Sequence, residues 1–244
     1  MGAPPVQVAI LCGGRGTRLR ELTAAMPKVL VEVGGRPILW HIMKSYAHYG
    51  FKDFVLALGY MGASIADYVE EVNKRELDEW SVAAVDTGLE TNTGGRIARL
   101  RESIDGDLFF ATYGDGLSDV DLVDLLAFHR RHGRIATVTV VRPRLTFGLV
   151  DIEDERVSSF TEKPRVDAWI NGGFFVFDRR IFDHLGEDSV LETGPLPQLA
   201  AAGELMAYRH DGFWACMDTY KDNLELNSAW ESGEAPWFTW HDDD

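Results

Sequence analysis

The chain has 244 residues, 45% of them hydrophobic and 26% charged, a composition that excludes a disordered chain and a disulfide scaffold. Its 24 basic and 39 acidic residues leave a net charge of −15, which argues against a nucleic-acid or anionic-membrane binder, because both need a basic surface. No stretch approaches the roughly 18 apolar residues of a membrane span, MGAPPVQVAILCGG lacks a basic leader region, and the distant Cys12 and Cys216 read as reduced thiols of a cytoplasmic protein.

Strand and helix patterns then alternate along the chain. Val6–Leu11 reads as a buried strand feeding a glycine loop, and Val29–Val33 as a short extended piece. From Pro37, the apolar residues Leu39, Ile42, Met43, Tyr46 and Ala47 recur at helical spacing until Gly50. Phe51–Leu58 is a predicted strand, about Ala63 to Lys74 a helix, and Trp80–Val85 a strand. Gly95–Ile104 is predicted as a helix with basic residues on its outer face, followed by strand Asp107–Thr112, helix Asp121–His132 and strand Ile135–Val141. After Pro143 come shorter strands, Gly148–Ile152, Val157–Thr161 and Gly173–Phe177, then helices around Pro195–Ala202 and Asp222–Trp230. This alternation predicts an α/β fold, a Rossmann-like mixed, mostly parallel sheet flanked by helices. No repeat or linker interrupts it, so one domain is expected over residues 1–244, with a substrate-side lobe from about 143.

Three glycine-loop chemistries compete for CGGRGTRL. A P-loop fails because Arg18 stands five residues beyond Gly13, and the dinucleotide fingerprint fails because Leu19 stands where its third glycine belongs. What remains is Gly13, Gly14, Arg15, Gly16, Thr17 and Arg18, with Pro27-Lys28 behind them. Glycines after a strand let backbone N–H groups approach a phosphate, and an arginine can hold two phosphate oxygens. Arg15, Arg18, Arg20 and Lys28 fall within fourteen residues, so a small polyanion suits this end of an acidic chain. The alternative is a tight turn with surface arginines.

Leu11–Leu19 with Pro27-Lys28 resembles the signature of the sugar-1-phosphate nucleotidyltransferases, the nucleoside-diphosphate-sugar pyrophosphorylases. The likeness continues through Pro37–Met43, Thr93–Arg96, Thr112–Gly116, Glu162–Pro164, Ile170–Phe175 and Phe213–Thr219, blocks that resemble the glucose-1-phosphate cytidylyltransferase branch in particular. The resemblance implies the nucleotide-diphospho-sugar transferase fold, with nucleotide binding to about residue 142 and sugar-phosphate binding beyond. It also implies transfer of a nucleotidyl group from a nucleoside triphosphate to a hexose 1-phosphate, with pyrophosphate released and Mg²⁺ as cofactor. CTP and glucose 1-phosphate are the expected pair; GTP, dTTP, UTP or another sugar 1-phosphate are the alternatives. A homo-oligomer is implied too, although the Val72–Trp80 connection is shorter than the insertion that contributes to subunit contacts in such cytidylyltransferases.

On the same resemblance Arg18 and Lys28 are the catalytic pair, Arg18 at the β- and γ-phosphates and Lys28 at the α-phosphate and the attacking phosphate. Leu11, Gly13, Gly14, Gly16, Thr17, Arg18, Thr93, Gly94, Gly95 and Asp115 are expected around the nucleotide.

Asp115, in TYGDGLSD, follows a buried strand and so stands at the carboxyl edge where open α/β sheets bind ligands. Two carboxylates from distant segments suffice for a magnesium that keeps phosphate oxygens and waters. Asp218, in FWACMDT, is the second; alone it reads as readily as a helix N-cap, and the resemblance assigns both aspartates to the metal. Asp119-Val120-Asp121 admits the Asp-x-Asp of a nucleotide-sugar-dependent glycosyltransferase, but it opens a helix, where aspartates cap. His129 and His132, beside Arg130 and Arg131, read as a solvated helix face rather than a zinc site.

Glu162-Lys163-Pro164 is by itself a common surface turn. The matched blocks place Glu162, Lys163, Asn171 and Gly172 around the sugar phosphate, where a carboxylate and a carboxamide suit hydroxyls and a lysine suits the phosphate. Trp40, Trp169, Phe174 and Trp214 read as core or rim. A non-catalytic nucleotide-sensing subunit of the same fold is the rival of a different class; it should have lost the lysine or the aspartates that this chain keeps.

Overall fold

The computed structural model describes residues 5–23, 25–75, 80–145 and 147–240. Seven strands form one twisted sheet: β1 (Gln7–Leu11), β2 (Asp53–Leu58), β3 (Ser81–Asp86), β4 (Leu108–Tyr113), β5 (Ala136–Val141), β6 (Ile170–Asp178) and β7 (Leu205–His210). Their spatial order is β7-β5-β6-β4-β1-β2-β3. All neighbours pair in parallel except β6, which runs antiparallel to both β4 and β5. The mixed, mostly parallel sheet expected from the alternation is therefore what forms.

Period-two alternation sends side chains to two cores. Val8 and Ile10 of β1, Phe54 and Leu56 of β2, and Phe110 of β4 pack on one face. Helices α1 (Ile38–His48), α2 (Gly62–Arg75) and α4 (Leu122–His132) cover it through residues such as Leu39, Ile65 and Leu125. Ala9, Val55, Ala57 and Phe109 point the other way, under α3 (Thr93–Arg99) and α5 (Pro195–Ala201). Helix α6 (Tyr220–Glu231) adds Leu226 to the first core, and the fully buried Trp237 and Trp240 close it.

Several local expectations are corrected. Val29–Val33 is not one extended piece: Lys28–Leu30 is a 3-10 turn and only Glu32–Val33 is strand, paired with Arg36–Pro37. The helix expected over Gly95–Ile104 is the shorter Thr93–Arg99, and Arg96 is not on an outer face but 5% exposed. Carbonyls from other segments satisfy its guanidinium, so burial does not strand the charge's donors. His129 is likewise buried rather than solvated, with Nδ1 2.8 Å from the Thr137 hydroxyl. β7 and the pairing of Gly116–Ser118 with Trp214–Cys216 were not anticipated. In the Val72–Trp80 connection, residues 76–79 lie outside the described residues.

At the start of β6 the register with β5 slips: a step of four residues from Asn171 to Phe175 opposes a step of two from Val140 to Val138. Gly173, with φ +80°, lies within the slip. A Cβ there would stand 2.5 Å from the Tyr113 ring, so the close approach of β6 to β4 also needs glycine.

Candidate active site

The carboxyl ends of β1 and β4 and the irregular start of β6 border a cleft of about 540 Å³. Leu11, Gly13, Gly14 and Arg18 line it from the glycine loop, with Lys28 from the 3-10 turn and Thr93 from the start of α3. Asp115, Asn171, Gly172 and Asp218 complete it. Residues spread over two hundred positions thus meet at the edge where parallel sheets bind ligands.

The centre of the cleft is a chain of charges. Lys28 Nζ donates at 2.6 Å to Asp115 Oδ2 and at 2.6 Å to Asp218 Oδ1. Arg18 Nη1 donates at 2.6 Å to the other Asp218 oxygen. Burial alone would lower the Lys28 pKa, but the two carboxylates outweigh it and hold the ammonium above its ordinary value. Burial likewise pushes the Asp218 carboxyl up, and Lys28 followed by Arg18 reverse the sign, leaving it below the usual range. The Lys28 side chain is only 13% exposed, so this pair of contacts is far from a solvated surface lysine.

Local sequence explains the placement. Gly114 lets the turn after β4 pack where a Cβ would stand 2.5 Å from Val29, one residue from Lys28. On the other side, α6 opens with a capping box: Thr219 accepts from the Asp222 N–H, and Asp222 Oδ2 accepts from the N–H groups of Thr219 and Asp218. Thr219 is therefore the cap, and the Asp218 side chain is left for the cleft.

Asp115, Cys216 and Asp218 form a group whose possible ligand atoms lie within 4.8 Å of one another. Burial and the two neighbouring carboxylates push the Cys216 thiol far up, and a soft sulfur is not the donor that a hard divalent ion takes. What remains is a pair of hard carboxylates already holding a cation between them, a donor set suited to a hard divalent ion shared with phosphate oxygens. Asp119 and Asp121, by contrast, are spent locally. Asp121 caps α4 by accepting from the Asp124 N–H, and Asp119 accepts from the Phe213 N–H at 2.7 Å. That pattern supports the cap rather than the Asp-x-Asp of a glycosyltransferase.

Other expected residues stand elsewhere. Gly16, with φ +59°, turns the loop back, and Thr17 opens the 3-10 turn behind it. Gly94 and Gly95 face the loop 187–189: a Cβ on Gly95 would lie 2.0 Å from the Glu187 carbonyl oxygen, and its N–H donates to Ser189 O at 3.0 Å. Lys163 lines a neighbouring cavity of about 660 Å³, and the exposed Glu162 stands outside both. Trp214 lines both spaces, its indole N–H donating at 2.7 Å to the carbonyl of Gly172, which lies within the β6 slip.

Three residues shape the cleft without having been singled out as site residues. Arg96 donates to the carbonyls of Gly13, Leu58, Gly88 and Leu89 and to the Thr87 hydroxyl, and a Cβ on Gly13 would strike its guanidinium at 2.1 Å. On the opposite wall Tyr113 donates to Glu192 behind it. Tyr113 and Arg96 lie inside motif blocks; nothing local marks Glu192 in LETGP.

Comparison with known proteins gives the family. The nucleotidyl transferase family profile matches residues 7–232. The chain is 44% identical over 256 residues to the glucose-1-phosphate cytidylyltransferase of Salmonella typhi, covering 96% of this chain and all of that protein. It is 41% identical to a probable glucose-1-phosphate cytidylyltransferase of Bacillus subtilis at the same coverage. Among solved structures, HddC from Yersinia pseudotuberculosis complexed with GMP-PN superposes with a TM-score of 0.74 at 23% identity, covering 92% of this chain and 99% of that one. A UTP-bound UGPase from Acinetobacter baumannii gives 0.71 at 18% identity and 93% of each chain, a likeness of fold.

Proposed function

The chain belongs to the nucleotidyl transferase family, and from that premise we propose that it joins CTP to glucose 1-phosphate, giving CDP-glucose and pyrophosphate. The reaction class, transfer of a nucleotidyl group to a sugar 1-phosphate, follows from the family; the base and the sugar are the finer reading. They rest on full-length identity to cytidylyltransferases. The observation that carries the assignment of roles is Lys28, held 2.6 Å from both Asp115 and Asp218 at the cleft centre.

A phosphate oxygen of the sugar phosphate attacks the α-phosphorus in line, the bond to the β-phosphate oxygen breaks, and pyrophosphate leaves. No covalent nucleophile is required, so the protein's work is to hold two polyanions together against their repulsion. Lys28 contacts the α-phosphate and the attacking phosphate, where its fixed charge offsets the negative charge gathered in the transition state. Arg18, 74% exposed in its side chain and free to swing from Asp218, binds the β- and γ-phosphates. The glycine loop supplies backbone N–H groups to the same phosphates, and Thr93 borders the nucleoside. On the sugar side Asn171 and Gly172 meet the ring, and Lys163 reaches the anomeric phosphate past Trp214.

Asp115 and Asp218 would hold Mg²⁺, which supplies charge neutralisation on the phosphate oxygens when bound. Lys28, seated between the same two carboxylates, would offer its ammonium to the phosphates.

The test is pyrophosphate release from CTP, measured with and without glucose 1-phosphate and with the nucleotide sugar identified by mass. Release that depends on the sugar phosphate is expected. Nucleotide binding without any release would favour the regulatory reading and sink the enzymatic one.

A further inference from the structure

Glu192 lies in the segment before α5 and is separated from the cleft by Tyr113 and Thr93. Its carboxylate accepts two hydrogen bonds. The Tyr113 hydroxyl donates to Glu192 Oε1, and the Thr93 hydroxyl donates to Oε2 at 2.7 Å. Both donors line the cleft, 79 and 99 residues away in sequence. The chain of bonds then continues. Asn171 Nδ2 donates to the Tyr113 oxygen at 3.2 Å, and Asn171 Oδ1 accepts from the Gly173 N–H at 2.8 Å.

A carboxylate can only accept, so Glu192 fixes the direction of the Tyr113 bond, and the Gly173 N–H, which can only donate, fixes the far end of the relay in the same sense. The Tyr113 proton must point to Glu192, which leaves the phenol oxygen as an acceptor facing Asn171. Asn171 must then turn its NH₂ toward Tyr113 and its carbonyl toward Gly173. A carboxamide held this way offers one N–H and one lone pair in fixed positions at the mouth of the β6 slip.

We propose that Glu192 is a positioning residue for the sugar: through Tyr113 it sets the orientation of the Asn171 carboxamide, and so which hydroxyl pattern of a hexose 1-phosphate the cleft accepts. This deepens the assignment of Asn171 to the sugar and rests on it. The chemistry singles out glutamate over its amide. Glutamine in the same place can donate to the Tyr113 oxygen, which frees the phenol proton to point at Asn171, so the carboxamide either faces that proton donor to donor or flips and loses the Gly173 N–H. A flipped carboxamide meets a hydroxyl donor with a donor and an acceptor with an acceptor, a mismatch that costs about 1–3 kcal/mol, or roughly ten- to a hundredfold.

The experiment is a double-mutant cycle on Glu192→Gln and Tyr113→Phe, read by the Kd of glucose 1-phosphate from calorimetry, with Tm recorded for each variant. Kinetics with CTP run in parallel. Glu192→Gln is expected to weaken glucose 1-phosphate binding about tenfold while the KM for CTP stays within about threefold and Tm within a few degrees. In the Tyr113→Phe background the same substitution should have no further effect on Kd, because the relay is already cut. Equal losses in both backgrounds, or an unchanged Kd in Glu192→Gln, would overturn the proposal, as would a wild-type protein that does not bind glucose 1-phosphate. Binding without turnover would instead refute the proposed reaction and leave the relay standing, so the two failures are told apart.

Discussion

The two sides of the cleft are held by different means. On the glycine-loop side, Lys28, Asp115 and Asp218 are fixed by charge at 2.6 Å contacts, and the walls around them allow no Cβ at Gly13, Gly95 or Gly114. On the sugar side, Asn171 is held by neutral hydrogen bonds around a register slip, and Lys163 belongs to the exposed end of a hairpin, Leu149–Glu153 with Arg156–Thr161. Parallel strands all end at one edge, so residues just beyond them converge on it. A hairpin that leaves the sheet carries its residues away from that edge. The rigid side suits the step common to the family; the looser side suits the part of the reaction that varies with the sugar.

Breaking the charged side should have the largest effect. Asp115→Asn and Asp218→Asn are each expected to lower pyrophosphate release at least about a hundredfold, with the ligand-free Tm nearly unchanged. Either variant with full activity at sub-millimolar magnesium would make that aspartate structural.

Acid should weaken the frame that both sides share. Burial depresses His41 of α1 and His129 of α4 to about 4 each from the ordinary 6.5. Between those values the unfolded chain binds more protons than the folded one, so stability falls as pH falls from 6.5 toward 4, by up to about 3 kcal/mol per histidine. A Tm that holds steady from pH 6.5 to 4.5 would show that these rings are not kept neutral.

Gly95→Ala probes the wall. Its Cβ would stand 2.0 Å from a backbone carbonyl that cannot swing aside, so a loss of about 2–3 kcal/mol is expected, roughly 5–10 °C in Tm. The smallest effect is reserved for Asp121→Ala, which removes a cap worth about 1 kcal/mol, or 2–4 °C, while activity is unchanged. Lost activity there would revive the Asp-x-Asp alternative.

Six of the seven sheet strands, most helices and the glycine loop are legible in the sequence because each is written in neighbouring residues: alternating apolar runs, Gly50 after a helical stripe, Asp121 three residues before the N–H it caps. Arg96 is not, since a seven-residue helix offers too few turns for a stripe to show which side is buried, and its carbonyl partners come from residues 13, 58 and 88–89. The motif blocks do name Lys28, Asp115 and Asp218. Their mutual contacts span 87 and 190 residues, which only the topology brings together. Glu192 escapes for the same reason, and Lys163 was expected nearer the cleft because a motif reports residue type and not where a hairpin carries it.

The most direct test of the division between the two sides compares Lys28→Ala with Lys163→Ala under CTP and glucose 1-phosphate. Lys28→Ala should lower kcat about a hundredfold, as expected for losing one charge-assisted phosphate contact in the transition state, with the KM for glucose 1-phosphate within threefold. Lys163→Ala should raise that KM about tenfold and leave kcat within threefold. Equal effects of the two variants on both constants, or a loss of less than threefold in Lys28→Ala, would contradict the account.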